Sequence, residues 1–267
     1  MTAKAYLIQC ITNLHVGSGD ATYGIVDKLV QRDAVYSYPT IHSSSLKGSL
    51  REHFENAWVK NDQDITEIFG KKTNNDDDAQ SGSLNFLNAD LVALPVRCSH
   101  MQFALTMSKQ SIELVNNKAM MLIDKKLLVE QTDENKLFTK DDVGEVYLED
   151  DNLQKATYMS PLSEKITVEN FEGFNKQQYA VVDNDKFKNY VEDLPVIARN
   201  RLGEDKNLWY EEIVPHQTIF ITYMIPKSDL DPEKFSAFEK TLLEKPIQIG
   251  ANSSIGYGLC KFYKINF

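Results

Sequence analysis

Two apolar stripes at helical spacing, each lying between β-like runs, constrain the fold of this chain more than any other feature. Leu46, Leu50, Phe54 and Trp58 recur every fourth residue. That spacing puts them on one face and predicts a helix over 44–60, with Ser43 to Ser45 offering an N-cap. The second stripe, Phe235, Phe238, Leu242 and Leu243, follows Asp231, a plausible N-cap, and Pro232. Proline lacks an N–H that a first turn does not use. Strand-like runs surround both stripes, at 5–12, 84–94, 100–107, 217–225, 246–250 and 258–267. With 217–225 set aside as an additional strand, the order is βαββαβ, an α+β arrangement of the ferredoxin-like kind.

Residues 108–215 interrupt this order with a charge-rich stretch of weak periodicity, near whose end lies Leu194 to Arg201. The ordered body is thus expected from 1–107 and 216–267, with 108–215 as an insertion. Residues 60–82 read as a polar loop centred on Asn74 to Asp78, better explained as a solvated acidic segment than as a cation site. A chain of 267 residues accommodates one large domain with such an insertion. No apolar run approaches the roughly 18 residues of a membrane span, and no basic-then-apolar leader opens the chain. A cytoplasmic protein without a membrane partner is expected. Cys10, Cys98 and Cys260 form no CxxC pair, so each reads as a small buried hydrophobe.

The net charge of −10 excludes a uniformly basic nucleic-acid surface but not a local one, since charges act over about 8 Å. There are five arginines, Arg32, Arg51, Arg97, Arg199 and Arg201, and each sits in a segment marked for another reason. Arginine's planar fork suits phosphate.

Three segments form a candidate anion cradle. One is the loop Gly17, Ser18, Gly19; another is the loop 250–258, with Asn252, Gly256 and Gly258. Glycine admits close approach of backbone N–H groups to an anion. The third is the helix start Ser43, Ser44, Ser45, Lys47, Gly48, Arg51. Hydroxyls, free helix N–H groups and two cations suit phosphate there. Walker, Rossmann, GxSxG, HExxH and zinc-deaminase patterns are missing from the sequence. What is left for catalysis is Asp27, Asp20, His15 and the pair Glu211 and Glu212. A carboxylate with a histidine nearby can orient a hydroxyl or hold a divalent ion on phosphate oxygens, although a lone loop aspartate is often structural. His42, His53, His100 and His216 share no metal-ligand spacing.

The segments His15–Gly19, Gly24–Arg32, Ser43–Gly48, Leu94–Arg97, Leu194–Asn200, Leu208–Glu212 and the last glycine loop together resemble the RAMP backbone subunits of type III-B CRISPR (Cmr) effector complexes. The resemblance runs from residue 5 to the C-terminus. It implies an RRM-like palm with an inserted thumb, stacked in several copies along a CRISPR RNA beside other subunits of the complex. It also implies cleavage of complementary target RNA at six-nucleotide intervals with a divalent metal, Mg or Mn. The cleaving and metal-holding acid maps to Asp27, with His15, Glu211 and Glu212 at positions near that site. Lys47 and Arg51 match the segment that holds guide phosphates, and Arg32 and Arg97 join the cradle residues as expected RNA contacts. Ile41-His42 and Gly250-Ala251 depart from the usual pattern without removing a functional group. Two other readings stand beside this one: a scaffold that binds RNA without cutting it, and a protein for a small phosphorylated ligand.

Overall fold

The computed structural model describes residues 3–19, 24–58, 62–72, 80–131, 133–171, 173, 178–200 and 208–267. Asp20, Arg201 and the acidic run 74–78 lie outside them. The strands are β1 Lys4–Cys10, β2 Thr40–Ile41, β3 Leu84–Phe86, β4 Ala89–Arg97, β5 Phe103–Ser108, β6 Lys136–Thr139, β7 Val146–Leu148 and β8 Asp151–Thr157. They continue with β9 Thr167–Val168, β10 Tyr179–Val182, β11 Val196–Asn200, β12 Leu208–Glu212, β13 Ile219–Pro226, β14 Ile247–Gln248 and β15 Leu259–Asn266. The helices are α1 Ser43–Ala57, α2 Asp62–Phe69, α3 Lys109–Ile123, α4 Asn184–Glu192 and α5 Pro232–Glu244.

Thirteen strands share one mixed sheet in the order β14-β15-β1-β13-β4-β5-β10-β6-β8-β7, with β2 on β4, β3 on β13 and β9 on β15. β11 and β12 form a separate antiparallel ribbon. The centre of the sheet is covered on both sides, which explains why its strands read as unbroken apolar runs rather than alternations. Tyr6, Ile8 and Cys10 of β1 and Phe220 and Met224 of β13 pack with Leu46, Leu50 and Phe54 of α1 and Phe238 and Leu242 of α5. Ala5 and Leu7 of β1 and Ile219, Ile221 and Tyr223 of β13 pack on the other side, with Ile112, Val115 and Ala119 of α3. Phe54 stacks on Phe238 at 4.6 Å between ring centres, joining the two stripes read from sequence.

Three expectations are corrected. Ile219–Pro226, set aside as additional, lies between β1 and β4 at the centre of the sheet, while Phe103–Ser108 lies outside β4. The first six residues of β13 are buried without alternation, which suits a central strand. α2 forms within the stretch read as a polar loop, since Ile65, Ile68 and Phe69 supply a short buried face. The serines do not cap α1: its N-cap is His42, with no side-chain bond, and the first helical N–H donates to Asn88 Oδ1 at 2.8 Å.

α4 is capped by Asp183, which accepts the Lys186 N–H. Burial alone raises the Asp183 carboxyl, but hydrogen bonds from Lys186 and Asn135 outweigh it and hold the group below its usual range. Its stabilisation is therefore present above the unfolded carboxylate range and is lost as pH falls through the lowered folded value. Asp183→Ala should cost about 1 kcal/mol at neutral pH in urea unfolding, and clearly less at pH 3.

Candidate functional site

Two glycine loops meet where β1 ends and β15 begins. Ile11 N–H donates to Leu259 O, Gly258 N–H to Asn13 O and Ala251 N–H to His15 O, at 2.8, 2.8 and 2.9 Å. Gly250 has φ +77°, and a Cβ there would lie 2.4 Å from His15 O, so this approach needs glycine. The segment 24–32 runs alongside: Ser18 N–H donates to Leu29 O and Gln31 N–H to Val16 O. Gln31 then reaches the start of α1, donating to Ser45 Oγ at 2.9 Å and accepting from His42 N–H at 2.8 Å. Both loops, the 24–32 segment and the serine turn are thereby joined in one body.

Beneath them lies a buried charge hub. Glu211 is 1% exposed and Glu212 4%. Glu211 accepts from Arg199 Nε at 3.0 Å and from Asn252 Nδ2 at 2.9 and 3.0 Å, with His15 Nε2 at 3.4 Å. His15 Nδ1 faces the Glu212 carbonyl at 2.7 Å, and the ring is 3% exposed. Glu212 accepts from Arg32 Nη2 at 2.5 Å and from Val30 N–H at 3.0 Å. Arg32 also donates to Ser37 O and Val191 O, so its fork is spent inside the protein. Arg199 lies over Tyr257 at 4.4 Å, and Lys28 over Trp209 at 4.9 Å.

Asp27 stands at the exposed rim of this hub. Its N–H donates to Tyr210 O at 3.0 Å, and its Oδ2 accepts Tyr210 N–H at 2.7 Å. The carboxylate is oriented by backbone on one side and open on the other. Lys28, next in the chain, pairs with Glu211 in an isolated parallel bridge. Among the described residues no three His, Cys, Asp or Glu side chains converge to hold a metal. The donor set at Asp27 thus fits a divalent ion only if RNA oxygens and water supply most of its ligands, as Mg²⁺ tolerates.

The cation patch on α1 is separate. Burial lowers the Lys47 ammonium first, and Arg51 and Lys227 nearby lower it further. Arg51 itself donates to Glu55 Oε1 and Gly70 O at 2.8 and 3.0 Å. Gly48 is exposed, and a Cβ there would meet nothing within 4 Å. Arg97 lies elsewhere, in a groove of about 900 Å³ lined also by Glu149, Asp150, Asp151 and Asp193, with Nε on Glu149 Oε1 at 2.9 Å. Those acids oppose a phosphate there. Gln31, Lys28, Trp209 and Tyr257 carry no site signature of their own in the sequence, and Arg199 is marked there as one of five arginines and by its place in Leu194–Asn200. The paired position of Leu194–Asn200 and Leu208–Glu212 around a short gap was the signal for that ribbon.

Fold and site together define a mixed α+β protein whose two glycine loops are locked over a buried charge hub, with one oriented carboxylate at the rim. The chain belongs to the RAMP superfamily, whose family model matches residues 7–261. It is similar to the "CRISPR system Cmr endoribonuclease Cmr4" of Pyrococcus furiosus, at 28% identity with coverage of 97% of this chain and 95% of that one. Its fold is shared with a chain of the type III-B Cmr-beta complex bound to cognate target RNA, at TM-score 0.77, 21% identity and coverage of 99% and 97%. It is shared also with oligomeric Cmr4 from Pyrococcus furiosus, at TM-score 0.71, 17% identity and full coverage of both chains.

Proposed function

We propose that this protein is a backbone subunit of a type III-B CRISPR effector complex, stacking along a guide RNA and cutting complementary target RNA. The single observation that carries the cutting role is Asp27, an exposed carboxylate aimed by Tyr210 N–H. The family, the relative named an endoribonuclease, and shared folds in an RNA-bound complex and an oligomer support the assignment. In the same reading the strand order β15-β1-β13-β4 with α1 and α5 is a ferredoxin-like palm, and the thumb lies within 108–215.

The chemistry is attack by the target's own 2′-oxygen on the adjacent phosphorus. The 2′-O–P bond forms, the P–O5′ bond breaks, a cyclic phosphate is left, and the departing 5′-oxygen takes a proton from water to become a 5′-hydroxyl. Asp27 accepts the hydroxyl proton and orients the attacking oxygen. A nucleotide flipped out of the duplex lets its backbone reach in-line geometry, and such positioning is worth up to roughly 7–11 kcal/mol. His15, Glu211 and Glu212 touch one another and the surrounding loops, so their part is to hold the rim in place. A divalent ion bound at Asp27 and the RNA would offset charge on the phosphorane.

The guide occupies the cradle. Arg51 and Lys227 repel the Lys47 ammonium, and an anion beside it relieves that repulsion. The N–H groups of Ser44 and Ser45 in the first turn of α1 have no intrahelical acceptor and suit a phosphate. Gly48 leaves open helix surface for the backbone of the RNA to approach. Gly48→Ala should therefore stabilise the fold by about 1 kcal/mol, yet weaken guide RNA binding, as read by thermal melting and filter binding. The function is tested by incubating the reconstituted complex with end-labelled complementary RNA. A ladder at six-nucleotide spacing, lost in EDTA, is expected. Binding without any regular ladder would show a scaffold instead, and purified protein free of RNA affinity would point to a small phosphorylated ligand.

A further inference from the structure

We infer that Arg199 and Tyr257 form a latch that positions Asp27, an inference that rests on reading Asp27 as the cutting acid. The β11–β12 ribbon has two unlike faces. Arg199 lies directly opposite Trp209, and Glu211, two residues on, shares their side. Val196, Ala198, Leu208 and Tyr210 occupy the other side and are exposed, while Glu212 at the end of that side is buried on Arg32 and Val30. The ribbon therefore rests on the loops through the side that carries Arg199, Trp209 and Glu211.

Arg199 is held there by two contacts of different kinds. Nε donates to Glu211 Oε2 at 3.0 Å, and the guanidinium plane lies 4.4 Å from the centre of the Tyr257 ring. Among the described residues its Nη2 is buried without a hydrogen-bond partner. The bond to Glu211 fixes Nε and the stack on Tyr257 fixes the plane of the guanidinium. Tyr257 belongs to the 250–258 loop, which Asn13 and His15 anchor through main-chain bonds. Along the edge of β12 away from β11 runs the segment that contains Asp27. Tyr210 accepts from both Asp27 N–H and Lys28 N–H and donates to Asp27 Oδ2, while Glu212 N–H donates to Lys28 O. A shift of the ribbon therefore moves the Asp27 carboxylate with it. A displacement of about 1 Å at a reacting group costs on the order of 100-fold in rate. Arg199 and Tyr257 act through Glu211 and β12, and so they are positioning residues.

The test uses the complex assembled on guide RNA, with Tyr257→Phe, Tyr257→Ala and Arg199→Lys. Phenylalanine keeps the ring face, alanine removes it, and lysine keeps the charge without the plane. Tyr257→Phe should cleave within about twofold of wild type in single turnover, and the other two at least about tenfold slower, with target affinity held within about threefold. Amide exchange at Asp27, Lys28 and Tyr210 should quicken in the slow variants only. Wild-type cleavage by Tyr257→Ala would overturn the latch, as would cleavage and target binding falling together. If the wild-type complex does not cut at all, the reading of Asp27 fails, and the exchange data still decide the latch. Unchanged exchange in Tyr257→Ala and Arg199→Lys overturns it.

Discussion

Asp27→Asn should abolish target cutting while leaving target binding intact. Asparagine matches aspartate in size, and its carbonyl oxygen still accepts the Tyr210 N–H that now orients Oδ2. What is lost is the basic oxygen that receives the 2′-hydroxyl proton. General acid–base groups contribute about 10²–10⁴-fold, and a single-turnover assay should lose at least the lower figure. Asp27 is exposed, so the stability of the variant should match wild type within about 0.5 kcal/mol. Normal cutting by a variant that binds target normally would remove Asp27 from the mechanism and place the cutting group elsewhere.

The second large effect is on stability. Glu211→Ala would strip the acceptor from Arg199 Nε and Asn252 Nδ2 and the carboxylate that faces His15 Nε2. Breaking a buried ion pair by removing one partner costs about 3–5 kcal/mol, because the other charge stays behind unpaired. Against a total of about 5–15 kcal/mol that is a large share. For a chain of this size it should lower the melting temperature by roughly 6–20 °C. Glu211→Gln, which keeps the volume and one carbonyl acceptor, should lose less. A cost below about 1 kcal/mol for the alanine variant would mean that solvent already reaches the hub.

Much of this was written locally in the chain. The stripe Leu46, Leu50, Phe54 found its helix and its burial, and Asp231 caps α5 through the Glu233 N–H as its spacing implied. The two glycine loops lie together, as the run of strands around them suggested. The resemblance set His15, Glu211 and Glu212 near one site, but the hub as a whole was not legible, because no spacing links them to Arg199 and Asn252. α3 and α4 escaped notice because their buried faces are narrow and mixed: α3 buries Ser111 and Asn116 beside its aliphatics, and α4 buries only Phe187 and Val191. Asn116 is polar for a reason visible only in three dimensions, since its side chain bonds Leu127 N–H, Leu128 N–H and Leu128 O. Arg97 looked like a phosphate ligand by type, yet the acids around it come from 149–151 and 193.

The place of β1 in the sheet has a consequence for biosynthesis. Its two neighbours are β13 and β15, so Tyr6 faces Thr222 on one side and Lys264 on the other. A ribosome that has made the first strand must make more than two hundred further residues before either neighbour exists. Until then an apolar segment meant for the middle of the sheet has both edges open, a state prone to wrong pairing. Pairing over such separations is also slow. Completion of the central sheet therefore waits on the last strand to emerge. The same strand closes the loop that carries Asn252 and Tyr257, so the site and the sheet are completed in one late step.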